Sequence, residues 1–323
     1  MFKEIPEVRS AEKILDTTFK RTKKVSVSDR DRFYRTKKTI IARTDSFATY
    51  VSHTLEKYVK GFPSIERLSR FYQELIDIKI DTDKLKKALG AVDWAKKMVQ
   101  KIYAKQISSL KKSGNIDFIK KKQKEIYGRI SSILKQIDNE LMMLREAQKI
   151  MKEFPEISNL PTIVIAGYPN VGKSSLLKML SSAKPKVASY PFTTQSIYVG
   201  HREEKINHNI IQYQLIDTPG LLDRPLEKRN KIEKQAIAAL THLADLIIFI
   251  LDPTEHCGYR MEEQRNLLNR VRRMFSSVPL IVVENKADII KRKSPHIKIS
   301  CTTGDGIQNL LKKIREILEN SKS

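Results

Sequence analysis

The sequence predicts two domains of different class in one 323-residue chain: an N-terminal all-α, strongly basic helical bundle over residues 1–159, and an α/β domain with a mostly parallel sheet over residues 160–323. Three observations predict this. Apolar residues of the first half recur at steps of three, four and seven with only Gly61, Gly90, Gly114 and Gly128 to interrupt them, which is the helical period. Beyond Pro161 the pattern changes to short apolar runs alternating with helical stretches, the order that builds parallel sheets. At the change stands Gly167-Tyr168-Pro169-Asn170-Val171-Gly172-Lys173-Ser174, which fits G-x-x-x-x-G-K-[ST] with no mismatch. The length is enough for two separate cores.

In the first half, Phe33, Ile40, Phe47, Val51, Leu55 and Tyr58 form one helical stripe that stops at Gly61-Phe62-Pro63. Ser64 is an N-cap type and opens a second helix carrying Ile65, Leu68, Tyr72 and Leu75. A third begins near Asp83 with Leu85, Leu89, Val92, Val99 and Ile102. A fourth and longest runs from about Ile116 through Ile126, Ile130, Ile133, Ile137, Leu141 and Leu144 to Phe154-Pro155. Short connections between such helices imply antiparallel packing in a bundle.

Lys plus Arg number 61 against 37 Asp plus Glu, a net charge of +24, and residues 1–160 hold 36 of the basic and 21 of the acidic side chains. The excess favours a polyanionic partner, nucleic acid first. The clusters are Lys20-Arg21 with Lys23-Lys24, Arg35 with Lys37-Lys38, Lys111-Lys112, and Lys120-Lys121-Lys122 with Lys124. For any single cluster taken alone, solvation or complementing a helix dipole is the stronger account. Cys257 and Cys301 are far apart and outside any C-x-x-C pattern, and the six histidines are not paired at ligand spacing, so neither a disulfide framework nor a zinc site is implied. The start Met1-Phe2-Lys3-Glu4-Ile5-Pro6 has no apolar signal core and no run approaches eighteen apolar residues, so a cytoplasmic protein with no membrane partner is expected.

In the second half, strands are predicted at 162–167, 195–201, 210–217, 245–252, 279–285 and 296–300. Helices are predicted near 173–182, 228–243, 260–276 and 305–320. The glycine-bearing loop between the first strand and helix lets successive N–H groups from Tyr168 through Ser175 face phosphates, with Lys173 adding a mobile positive charge and Ser174 a hydroxyl for Mg²⁺. Asp217-Thr218-Pro219-Gly220 follows the third strand; there Asp217 suits Mg²⁺ through water, and the Gly220 N–H suits a γ-phosphate. Asn285-Lys286-Ala287-Asp288 follows a later strand, and the Asp288 carboxylate accepts from the two donors that guanine presents and adenine lacks. Ser300-Cys301-Thr302 is expected to bring backbone N–H groups to the guanine O6. The base is therefore guanine and the ligands GTP and GDP with Mg²⁺. Thr194, in Ser189-Tyr190-Pro191-Phe192-Thr193-Thr194-Gln195, is expected to close on Mg²⁺ and the γ-phosphate.

These stretches resemble the Obg-related GTPases, and more closely the nucleolar GTP-binding protein 1 family. The match also runs through Arg224-Pro225-Leu226-Glu227-Lys228-Arg229-Asn230, Glu233, Gln235, Ala236, Ala238 to Leu243, and Asp252 to Cys257-Gly258, and includes Lys87-Ala88-Leu89-Gly90 of the bundle. The resemblance implies a GTPase switch in large ribosomal subunit assembly. Its implied partners are large-subunit ribosomal RNA, the pre-ribosomal particle and assembly factors or ribosomal proteins, with the chain a monomer off the ribosome. The chain ends soon after the last predicted helix, like the archaeal members and unlike those of nucleated cells. Two other readings are a translation or signalling GTPase of the developmentally regulated group, and a mainly structural RNA-binding protein. In the GTPase reading Lys173, Thr194, Gly220 and Asn170 serve the reaction. Leu221 stands where a water-orienting glutamine often does, so slow turnover is expected. Asn170 either caps the loop or, as the resemblance implies for GTPases lacking that glutamine, helps hold K⁺ beside the phosphates.

Overall fold

The computed structural model describes residues 2–188, 197–206, 209–219, 222, 237–290 and 293–320. Thr194, Gly220, Leu221, the 189–195 stretch, Arg224 to Asn230, and Glu233, Gln235 and Ala236 lie outside the described residues. The chain divides into two compact units, Met1–Leu68 with Lys79–Lys152, and Ser69–Ile78 with Glu153–Ser323.

The first unit is a bundle of α1 (Ala11–Lys23), α2 (Arg32–Gly61), α4 (Thr82–Lys112), α5 (Ile116–Gln136) and α6 (Asp138–Lys152). Its starts are chemically marked. Ser10, Asp31, Asp81 and Asn115 each accept a backbone N–H of the following turn, relieving donors that a helix leaves unpaired. The expected stripe residues Phe47, Val51, Leu55, Leu85, Val92, Val99, Ile126, Leu141 and Leu144 are all buried, and Phe47 stacks on Tyr127 at 4.2 Å. Two features depart from the sequence reading. Helix α1 was not anticipated, and the long fourth helix is two, because the chain turns at buried Ile137 and Asp138 accepts from the Ala11 N–H at 2.7 Å. That bond spans 127 residues, so no local pattern announces it.

The helix expected over Ile65–Leu75 is a short 3-10 turn (Ile65–Arg67) followed by α3 (Arg70–Lys79), and residues 69–78 belong to the second unit. There the buried Tyr72 hydroxyl donates to the Pro155 carbonyl at 2.8 Å and accepts from the Ile157 N–H at 2.9 Å, pinning the strand's approach segment.

The second unit is built on β1 (Thr162–Ala166), β2 (Lys186–Ala188), β3 (Ile197–Ile206), β4 (Asn209–Asp217), β5 (Leu246–Leu251), β6 (Leu280–Glu284) and β7 (Ile297–Lys298), in the order β2-β3-β4-β1-β5-β6-β7. Strands β4, β1, β5, β6 and β7 run parallel, while β2-β3 and β3-β4 are antiparallel. Continuous apolar runs are what a strand covered on both faces needs, and β1 and β5 are buried at every position. Helices α7 (Lys173–Leu180), α8 (Met261–Met274) and α9 (Ile307–Asn320) complete it, and residues 237–241 are the described part of the helix expected at 228–243. Strand β3 runs further than expected because its charged end, Arg202-Glu203-Glu204, pairs with β4. Parallel strands end at the same edge of the sheet, so the segments after β1, β4, β6 and β7 emerge together, in the crevice where open α/β sheets bind ligands.

Candidate nucleotide site

The phosphate loop leaves β1 and enters α7. Gly167 has φ 142° and a Cβ there would lie 2.7 Å from the Ile250 carbonyl oxygen; Gly172 has φ 106° and its Cβ would lie 2.2 Å from Asn285 Nδ2. Only glycine fits either position. Gly172 is the N-cap of α7 and brings no side-chain acceptor, and the first turn contains no acidic residue, so the helix start favours an anion. Lys173 is buried, its ammonium donating to the carbonyls of Gly167 at 2.9 Å and Tyr168 at 2.8 Å, inside the curve of the loop. Asn170 is exposed with φ 62°, a left-handed conformation that asparagine tolerates.

Ser174 donates to Asp217 Oδ2 at 2.6 Å, and Asp217 is fully buried. This bond joins the loops after β1 and β4, whose strands pair with Ile165 opposite Asp217. A hydroxyl and a carboxylate side by side make an all-oxygen set, which fits Mg²⁺.

At the base-reading end the structure adds connections that the motif does not contain. Asn285 donates to the Val171 carbonyl at 2.8 Å and accepts from the Cys301 N–H at 3.1 Å, so one amide ties three loops together. Lys286, at φ 62°, sends its ammonium to Asp252 Oδ2 at 2.6 Å. Asp288 is exposed and makes no hydrogen bond among the described residues. The N–H groups of the Ser300-Cys301-Thr302 loop have partners within the loop and on Asn285. Ser300 N–H donates to the Asp305 carbonyl, Cys301 N–H to Asn285, and the Thr302 and Thr303 N–H groups to the Ser300 hydroxyl.

Three residues given no role in the site from the sequence shape it. Asp252, fully buried after β5, accepts from the Thr254 N–H and hydroxyl, the Cys257 N–H and Lys286. Burial raises its pKa, but the Lys286 and Thr254 bonds outweigh this and hold it below the usual carboxylate value. Gln264 on α8 accepts from the Asp252 N–H and donates to the carbonyls of Asp252 and Tyr259. Tyr259 stacks on Tyr168 of the phosphate loop with ring centroids 4.0 Å apart. The D-P-T-E-H-C-G-Y run of 252–259 was the available signal, since a strand-end Asp followed by turn residues marks a built loop. Burial pushes the Cys301 thiol up to about 11, with Asp288 adding to the rise, and burial also raises Cys257.

A mostly parallel sheet whose first loop carries the phosphate-loop glycines and lysine, tied through Ser174 to the loop after β4 and through Asn285 to the loops after β6 and β7, defines a P-loop domain of the GTPase type. Known proteins agree with that class. Residues 2–158 match the NOG1 N-terminal helical domain and residues 231–288 match nucleolar GTP-binding protein 1 (NOG1). The chain belongs to the nucleolar GTP-binding protein 1 family. An uncharacterized protein of Methanocaldococcus jannaschii is 36% identical over 293 residues, 90% of this chain and 81% of its own. Nucleolar GTP-binding protein 1 of Encephalitozoon cuniculi is 38% identical over 71% of this chain and 43% of its own, and that of Arabidopsis thaliana 32% identical over 100% and 46%. The chain thus spans a little under half the length of these two named relatives. A solved candidate nucleolar GTP-binding protein 1 from Plasmodium falciparum is 35% identical over 52% of this chain and 92% of its own, with a TM-score of 0.46.

Proposed function

We propose that this chain binds GTP with Mg²⁺, hydrolyses it slowly to GDP and phosphate, and acts as a switch in large ribosomal subunit assembly, its basic bundle contacting ribosomal RNA. The observation that carries the nucleotide part is the convergence of the loops after β1, β4 and β6 at one sheet edge, joined by the Ser174–Asp217 and Asn285–Val171 hydrogen bonds. In this reading Lys173 and the N–H groups at the start of α7 hold the phosphates, and Asp288 selects guanine. Ser174, Asp217 and Thr194 hold Mg²⁺, which when bound supplies positive charge that offsets what builds on the phosphate oxygens. Gly220 offers its N–H to the γ-phosphate, and water attacks the γ-phosphorus as GDP leaves. The Leu221 side chain has no polar atom to orient that water, so a partner, RNA or a cation completes the reaction. K⁺ beside the phosphates, held in part by the Asn170 amide oxygen, is the cation we propose. The ribosomal role is supported by the nucleolar naming of the relatives and the chain's +24 charge. The chain works in the cytoplasm and is a monomer off the ribosome.

Replacing Asp288 with Asn tests the base site: preference should move from GTP toward xanthosine triphosphate, whose 2-oxo group accepts where guanine donates. A mutant that keeps full GTP selectivity sinks the assignment. Turnover in K⁺ should exceed that in Na⁺ at constant ionic strength and lose the difference in Asn170→Ala; equal rates for the parent protein reject the cation. Sedimentation of native lysate should place the protein with immature large subunits, whereas uniform association with translating ribosomes favours the translation reading.

A further inference from the structure

One end of the first unit concentrates the chain's charge. The opening turns of α2 are bracketed on one side by the end of α1, where Arg43 donates to the carbonyls of Val25 and Lys23 and the Val27 N–H donates to Thr39. On the other side lies the α4–α5 turn, where Lys37 donates to the Ser113 carbonyl at 2.7 Å and Gln123 to the Ile40 carbonyl. Segments 20–43 and 111–124 are therefore one surface. They hold sixteen Lys and Arg against three acidic residues, an excess of +13 out of +24 for the whole chain.

Helix dipoles account for part of this. Lys23 ends α1 and Lys112 ends α4, where cations are favoured. The opposite holds at the start of α2, where Arg32 opens the helix, Arg35 follows within a turn, Arg30 precedes the cap, and the first turn has no acidic residue. Asp31 caps this end and Asp29 pairs with Lys38, so Arg30, Arg32 and Arg35, three cations that oppose the dipole, stand around one capping carboxylate, and an anion from outside the unit would complement them. Ion pairs at this end are Lys38–Asp29, Lys120–Asp117 and Lys122–Glu125; Arg30, Arg32, Arg35, Lys121 and Lys124 form none among the described residues.

Two aromatic rings stand in this field. Tyr34 is 54% exposed and Phe118 41%. Both occupy the same place in their helices, three residues after the cap, with their N–H groups held by Asp31 and Asn115 respectively. Tyr34 is further braced edge-on by Phe33 at 5.4 Å. Exposed rings on rigid mounts inside a basic surface match what unpaired bases need, stacking for the base and cations for the phosphate. A duplex hides its base faces. Resting on the RNA reading above, we propose that this end of the bundle takes RNA with unpaired bases, stacking them on Tyr34 and Phe118 while Arg30, Arg32 and Arg35 hold the flanking phosphates.

The test uses the full chain with two RNA probes, a short hairpin with 2-aminopurine in its loop and a blunt duplex of equal length. The parent should bind the hairpin more tightly and quench the probe. Tyr34→Ala with Phe118→Ala should reduce hairpin affinity about thirtyfold, the low end of stacking for two bases, with duplex affinity and salt slope unchanged. An unchanged hairpin preference in that double variant overturns the stacking. Arg30→Gln with Arg32→Gln and Arg35→Gln should weaken both RNAs and flatten the salt dependence. If neither affinity nor slope moves, the RNA reading of this surface itself fails. Phosphatidylserine vesicles that bind the parent and are not displaced by the hairpin assign the surface to a membrane and also overturn the proposal. The two rings are exposed, so the double variant should fold; far-UV circular dichroism confirms it.

Discussion

Asp252→Asn keeps the shape of a buried side chain and removes its charge. The parent carboxylate is fully buried and accepts four bonds, from Thr254 N at 3.0 Å, Thr254 Oγ1 at 2.6 Å, Cys257 N at 2.9 Å and Lys286 Nζ at 2.6 Å. The amide oxygen of asparagine retains the Thr254 pair, but its NH₂ group faces the Cys257 N–H and the Lys286 ammonium, donor against donor. The charge-assisted bond contributes roughly 1.5–3 kcal/mol, and a buried N–H left unpaired costs roughly 1–3 kcal/mol. Lys286 is 23% exposed and recovers part of its loss from water, so about 3 kcal/mol is expected, near the bottom of the range for breaking a buried pair. Trp94, the only tryptophan, lies on α4 of the first unit, so its fluorescence does not report on Asp252. Hydrogen exchange of the β5 and β6 amides is the suitable assay, and their opening should become roughly a hundredfold more frequent, since each 1.4 kcal/mol is a factor of ten. Removing the ammonium as well, with Lys286→Met, should restore part of the protection because the donor conflict is gone. Exchange within threefold of the parent in Asp252→Asn refutes the claim that this carboxylate holds the loop.

The same carboxylate has an acid signature: its pKa is lowered on folding, so its contribution is present above the unfolded value and is lost as pH falls through the folded one. The exchange difference between parent and Asp252→Asn should therefore shrink below about pH 4, and a gap that stays constant from neutrality to pH 3 contradicts it. Gly172→Ala should weaken binding of fluorescent GDP by about tenfold or more, from left-handed strain plus the clash with Asn285. Part of that loss should be shared with Asn285→Ala, and strict additivity in the double variant argues against the clash. The Cys301 thiol, held near 11, should react with iodoacetamide at pH 8 about a hundredfold more slowly than an ordinary thiol, as read by mass spectrometry. Rapid native alkylation at that residue rejects the burial account.

The sequence alone determined the two fold classes and the phosphate, magnesium and guanine motifs, because each depends on spacing within a few residues. A glycine at positive φ, a lysine one position on, or a period of 3.6 is a local fact of the chain. What the tertiary structure decided depends on residues far apart in the chain. Asp138 breaks the last long helix by accepting from Ala11, Tyr72 carries α3 into the second unit by bonding at Pro155 and Ile157, and Asn285 binds Val171 across 114 residues. The Cys301 N–H looks free in the linear chain and is engaged only because Asn285, 16 residues away, is folded against it. Charge behaves the same way. Scattered Lys and Arg clusters have an ordinary explanation one at a time, and only the packing of α1, α2, α4 and α5 gathers them, with Tyr34 and Phe118, on one surface. Electrostatic fields sum over distance in space, whereas sequence motifs record distance along the chain.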